Sequence, residues 1–156
     1  MKVDTCRSRG ALRWHHRKIS LGKILVAASP EPSAILQRIL GRHELSCAQT
    51  MVQAEQFLGE RPFDLIICTI VFDESRMFDF LRLAKSKPEW QSIPFVCARV
   101  RDHILRSPAA VKAAAFTCQQ LGAEAFLDVA DYQGDRERGM GDAIEQLLDT
   151  TSRTDR

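Results

Sequence analysis

Residues Lys23–Ala28 (KILVAA) form a continuous apolar run, and this run limits the fold more than any other feature of the chain. An unbroken stretch of this kind suits a strand covered on both faces, as in a parallel sheet. Parallel neighbours cannot be joined by a tight hairpin, so each strand must be followed by a crossover, usually a helix. The sequence supplies one at once. Ser29-Pro30-Glu31-Pro32 breaks the strand, and proline is well suited to the first turn of a helix because the amide it lacks would be unpaired there. Ile35, Leu36, Ile39 and Leu40 then recur at helical spacing.

The alternation continues to the end of the chain. Glu44–Ala48 reads as a second strand, and Thr50 with Gln53 three residues later is a capping-box pattern for a helix running to about Glu60. Phe63–Val71 is predicted as the third strand, Ser75–Ser86 as a helix with Met77, Phe78, Leu81 and Ala84 on one face, and Pro94–Val100 as the fourth strand. An alanine-rich helix, Ala109–Leu121, stops at Gly122, a residue that readily takes the left-handed conformation found after helix ends. Ala123–Val129 is the fifth strand. A looser segment with Gly134, Gly139 and Gly141 leads to a last helix carrying Ile144, Leu147 and Leu148, and residues 151–156 are expected to fray.

Short connections between these units require right-handed crossovers with helices on both faces of the sheet. The predicted architecture is α/β: a doubly wound, five-stranded parallel sheet of flavodoxin-like type in a three-layer sandwich. Ligands in such sheets bind at the carboxyl ends of the strands, so the loops beginning at Ala28, Thr50, Thr69, Arg99 and Val129 carry the question of function.

Composition enters mainly through charge. The formal charge is +2, but Lys2, Arg7, Arg9, Arg13, Arg17 and Lys18 against Asp4 give residues 1–22 a charge of +5, which leaves −3 on the rest. An acidic body is a poor match for nucleic acid, where lysine and arginine must neutralise phosphates. Only the segment 1–22, read as a disordered basic tail, could make such contacts. The body, residues 23–150, is long enough for one domain with its own core. Cys6, Cys47, Cys68, Cys97 and Cys118 fall singly, which argues against a disulfide framework and a zinc site and predicts buried, reduced thiols. No apolar stretch approaches the roughly 18–20 residues of a membrane helix, and the basic N-terminus lacks the core of a secretory signal, so a cytoplasmic location is expected.

With the loops located, the chain resembles the receiver domain of two-component response regulators. The resemblance covers about residues 23–150 and lies in KILVAAS, FDLIICTIVFDESRMFDFLR, IPFVCARV and LGAEAFLDV, in the order and spacing of that family. It implies a crevice in which an acidic pair after the first strand holds Mg²⁺. An aspartate after the third strand accepts a phosphoryl group, a hydroxyl closes the fourth, and a lysine closes the fifth. In this chain the acidic pair falls on Ala27 and Ala28 or on Ala28 and Ser29, the acceptor on Thr69, the hydroxyl on Arg99, and the lysine on Val129. Every functional position differs. Glu31 and Asp73 are the acids nearest the crevice, and Arg99 is expected either to pair with one of them or to point into solvent.

These readings make the chain a degenerate, or pseudo-, receiver: a non-phosphorylatable protein-interaction module in bacterial-type signal transduction, with no metal, no cofactor and no catalytic residue. Its expected partner is a protein such as a kinase or another regulator, docked constitutively; a homodimer is left open, and no membrane contact is expected. Trp90, Phe116 and Tyr132 are the candidate docking aromatics. The resemblance implies docking on the face built from the fourth helix, fifth strand and fifth helix. One alternative is a flavodoxin-like protein that binds a small molecule or nucleotide. The loop SPEPS argues against it, because two prolines remove amide donors and Glu31 repels phosphate. The other is nucleic-acid contact through the basic tail. A hydrolase is disfavoured, since His103 is the only histidine near the crevice and has no nucleophile motif beside it.

Overall fold

The computed structural model describes residues 21–154. Its strands are β1 (Lys23–Ala27), β2 (Glu44–Ala48), β3 (Leu65–Thr69), β4 (Phe95–Arg99) and β5 (Ala125–Asp128). They alternate with α1 (Pro30–Ile39), α2 (Met51–Glu60), α3 (Met77–Ser86), α4 (Pro108–Gln120) and α5 (Arg136–Thr154). The sheet order is β2-β1-β3-β4-β5, and every neighbouring pair is parallel. The doubly wound five-stranded sheet predicted from the apolar runs is present.

Alternation along each strand divides the core in two, because successive side chains point to opposite faces. Leu25, Ile66, Cys68, Phe95 and Cys97 meet Leu58 of α2, Phe80 and Leu81 of α3 and Cys118 of α4 on one face. Ile24, Val26, Ile67, Val96 and Leu127 meet Leu36 of α1 and Met140 and Ile144 of α5 on the other. Burial on both faces is why these strands read as unbroken apolar runs.

Helix ends follow their sequence signals. Thr50 caps α2 by accepting from the Gln53 amide at 3.2 Å, while the Gln53 side chain accepts from the Gln49 amide at 2.8 Å. Ser107 caps α4 in the same way, with Pro108 behind it. Gly122 ends α4 with a φ of 100°.

Three expectations need correction. The loose segment before the last helix is shorter than its glycines imply, because Gly139 and Gly141 lie inside α5. A Cβ on Gly139 would stand 2.8 Å from the Tyr132 ring, so this glycine serves close packing rather than a turn. Residues 151–154, expected to fray, continue α5. Trp90 is not a surface aromatic: it is 9% exposed and belongs to the core under α3.

The connection from β3 to α3 departs most from the sequence reading. Ser75, expected to open the helix, and the two residues before it, Asp73 and Glu74, take φ values of 66°, 43° and 56°. Three successive non-glycine residues in the left-handed region make this a strained turn. The segment is held at both ends. Phe72 is fully buried, and the Asp73 carboxylate accepts from the Met51 amide at 2.8 Å, satisfying an open donor at the start of α2.

Candidate functional site

Parallel strands bring the ends of β1, β3, β4 and β5 together along the carboxyl edge of the sheet, where a doubly wound fold forms its crevice. The residues there are largely buried. Ala28 is inaccessible, Ser29 is partly exposed, and Thr69, Arg99 and Val129 are 1%, 6% and 8% exposed. The five positions aligned with receiver chemistry are therefore at the strand ends, but they form a packed floor.

Arg99 dominates this floor. Its Nη1 donates to Asp128 Oδ1 at 2.7 Å, its Nε to the Ile104 carbonyl at 2.7 Å, and its Nη2 to the Asp102 carbonyl at 2.6 Å. Both charged side chains are buried, 6% and 10% exposed. The pairing follows from register, since Arg99 on β4 stands opposite Asp128 on β5. Asp128 Oδ1 also accepts from the Ala130 amide at 3.0 Å, which caps a 3-10 turn, Val129–Asp131. Val129 itself packs into the core beneath α5.

Arg99 pairs with neither acid named for it from the sequence. Glu31 is exposed and lies 3.4 Å from Arg101, while Asp73 is committed to the Met51 amide and stands 3.9 Å from Arg76. Asp128 was missed because it falls one residue before the position aligned with the family's lysine. A signal was present: β4 and β5 each carry one charge at the end of an otherwise apolar strand, and the two charges are opposite.

A ring of ion pairs surrounds the floor. Arg101 on the β4–α4 loop reaches Glu31 of α1, Arg136 of α5 reaches Asp102 of the same loop at 3.0 Å, and Arg38 of α1 reaches Glu137 of α5 at 2.7 Å. The hydrogen bond from Arg136 holds the Asp102 carboxyl below its ordinary range, with Arg99 adding to the effect. Arg38 does the same for Glu137. Exposed pairs of this type are screened by water and contribute little, so they trim the rim while the buried pair sets the floor.

Thr69 is the one floor residue left incomplete. Its hydroxyl is buried and has no hydrogen-bond partner among the described residues. A threonine here is a poor nucleophile without a base, and no carboxylate or imidazole is hydrogen-bonded to it. His103 lies exposed in the β4–α4 loop.

The donor set does not fit a magnesium ion. Ala27 and Ala28 offer no side-chain oxygen, the Thr69 hydroxyl is neutral, and the Asp128 carboxylate is already paired with Arg99. Among the described residues, no group of three or more His, Cys, Asp or Glu is placed to hold a metal ion. The first turn of α1 is equally unsuited to a phosphate, since Pro30 and Pro32 have no amide hydrogen and Glu31 carries a negative charge there.

Elsewhere, Cys68, Cys97 and Cys118 are buried and free, and Cys47 is partly buried. Burial pushes the Cys68 thiol well above its ordinary range, and the Cys118 contact together with burial does so for Cys97. At Cys68 and Cys97 this disfavours the thiolate, the reactive form of a cysteine. Of the three docking aromatics, Tyr132 is partly buried against α5 and Phe116, on the outer face of α4, is 62% exposed. The basic segment 1–22 lies outside the described residues except for Leu21 and Gly22. No helix among the described residues is long and apolar enough to cross a membrane.

The strand order, with every pair parallel, is that of the flavodoxin-like receiver fold. Solved structures agree. The chain is similar to the signal receiver domain of a signal transduction histidine kinase from Syntrophus aciditrophicus, with 21% identity, 83% of this chain and 91% of that one covered, and a TM-score of 0.63. It is similar to the chemotaxis response regulator CheY4 of Vibrio cholerae, with 17% identity, 83% and 99% coverage, and a TM-score of 0.62. A CheY-like response regulator receiver domain protein from Methanospirillum hungatei JF-1 gives 18%, 86% and 99%, with a TM-score of 0.63. At these identities the likeness is one of fold. No protein-family model matches the chain, and no curated protein matches it.

Proposed function

We propose that this chain is a receiver-fold protein-interaction module of two-component-type signalling that works in the cytoplasm without being phosphorylated and docks constitutively on a protein partner. One observation carries the reading: the buried cation at the strand ends, Arg99, stands where receivers have a hydroxyl and is already neutralised by Asp128 at 2.7 Å. An incoming phosphoryl group would find no carboxylate nucleophile at Thr69, no acids for Mg²⁺ at Ala28 and Ser29, and no lysine at Val129. Phe116, exposed on α4, marks the docking face.

The test uses the full chain in two arms. Incubated with acetyl phosphate and Mg²⁺, it forms no acyl-phosphate, and a labile phosphoryl band lost in Asp73→Asn overturns the reading. In the second arm the tagged chain is used to capture partners from its native cells. The expected outcome is a kinase or regulator recovered equally with and without acetyl phosphate and lost with Phe116→Ser.

A further inference from the structure

Arg99 does more than balance a charge. The carbonyls it holds belong to Asp102 and Ile104, two residues of the β4–α4 loop that have no strand or helix to fix them. The loop's other ties are exposed ion pairs, from Arg101 to Glu31 and from Asp102 to Arg136. Its internal order is a single turn, in which the Ile104 amide donates to the Arg101 carbonyl at 3.3 Å. The buried guanidinium is therefore the post around which the loop is wrapped. Being planar, it presents its donors in fixed directions, which lysine cannot do.

The next residue shows what this wrapping achieves. Leu105 follows the clamped Ile104 carbonyl directly and takes a φ of 60°, a conformation that bulky residues rarely adopt. In that conformation it lines an apolar groove of about 360 Å³ between α3 and α4, together with Ile70, Met77, Phe78, Ala113 and Thr117. A strained leucine persists only where its surroundings over-determine it. Here the constraint is the carbonyl on its N-terminal side, gripped by Arg99.

We propose that Arg99 is a positioning residue that holds the β4–α4 loop in one arrangement and thereby sets Leu105 as a wall of the α3–α4 groove. This inference rests on the phosphorylation-independent reading, because it assigns the loop's control to a permanent side chain. A loop held by an internal ion pair has no second state for a phosphoryl group to select.

The experiment is NMR on the full-length, ¹⁵N- and methyl-labelled protein. In the parent, the Arg99 Nε–H gives a resonance protected from water exchange, unlike the exposed arginines. In Arg99→Met, the Ile104 amide exchanges on the order of a hundredfold faster relative to Val26 in β1, and the Leu105 methyl shifts move toward random-coil values. Arg99→Lys keeps the charge and restores only part of the protection. Asp128→Asn keeps a cap for Ala130, loosens the loop in the same direction, and carries the test if Arg99→Met does not fold. The inference is overturned if Ile104 accelerates no more than Val26, or if the Leu105 methyls stay in place in both variants. An acyl-phosphate in the unmodified protein would instead overturn the functional reading, whatever the loop does.

Discussion

Replacing Thr69 by valine should stabilise this protein, although the position lies in the middle of its crevice. The hydroxyl is 1% exposed and has no partner among the described residues. A buried hydroxyl without a hydrogen bond costs about 1–3 kcal/mol. Valine keeps the branched shape preferred in a strand and adds a buried methyl worth about 0.8 kcal/mol. Allowing for some strain from the added methyl at a packed strand end, the net gain should be about 1–2 kcal/mol, with a rise in Tm of roughly 2–8 °C. Thr69→Ser is the control. It keeps the hydroxyl and removes the methyl, so it should cost about 1 kcal/mol. Urea unfolding of the three proteins at neutral pH measures both differences. A loss of more than about 1 kcal/mol in Thr69→Val would refute the reasoning, because it would mean the hydroxyl has a partner and that something polar enters the crevice.

Two further outcomes follow from other parts of the molecule. Glu74 is exposed and held at a φ of 56°, so Glu74→Gly should relieve left-handed strain and raise stability by about 0.5–1 kcal/mol, readable as a higher urea midpoint at unchanged slope. For Glu145, burial acts to raise the carboxyl, but hydrogen bonds from Arg42 and His43 outweigh it and hold the group below its ordinary 4.5. A depressed acid contributes stability that is present above the unfolded value and lost as pH falls through the folded one. The parent should therefore lose stability below about pH 4.5, and Glu145→Gln should flatten that limb in urea midpoints taken from about pH 6 to pH 3.

The fold was legible because its signals are local. Continuous apolar runs, Thr50 with Gln53, and Gly122 each act within a few residues, and each places an element boundary close to where it lies. The misses come from contacts between distant segments. Gly139 resembles a loop residue until Tyr132 is seen against it, and Trp90 resembles a surface aromatic until α3 is folded over it. The turn at Asp73–Ser75 contains no glycine, so nothing local announces its left-handed backbone. At the candidate site, the departure of Ala28, Ser29, Thr69, Arg99 and Val129 from the receiver pattern could be read residue by residue. What replaced that pattern could not, because matching Arg99 with Asp128 requires the β4–β5 register, which no short pattern encodes.

The anchoring of Gly22 has a consequence for how this domain sits in any larger assembly. The Gly22 amide donates to His43 Nδ1 at 2.9 Å, and a Cβ on Gly22 would stand 3.2 Å from Leu148, near the far end of α5. Helix α5 therefore starts beside Tyr132 at the crevice edge and finishes beside the entrance to β1. The chain enters and leaves the domain at one pole, and the Arg99 floor lies at the other. Helix α5 thus spans from the entry pole to the β4–α4 loop, which it meets through Arg136 and Asp102.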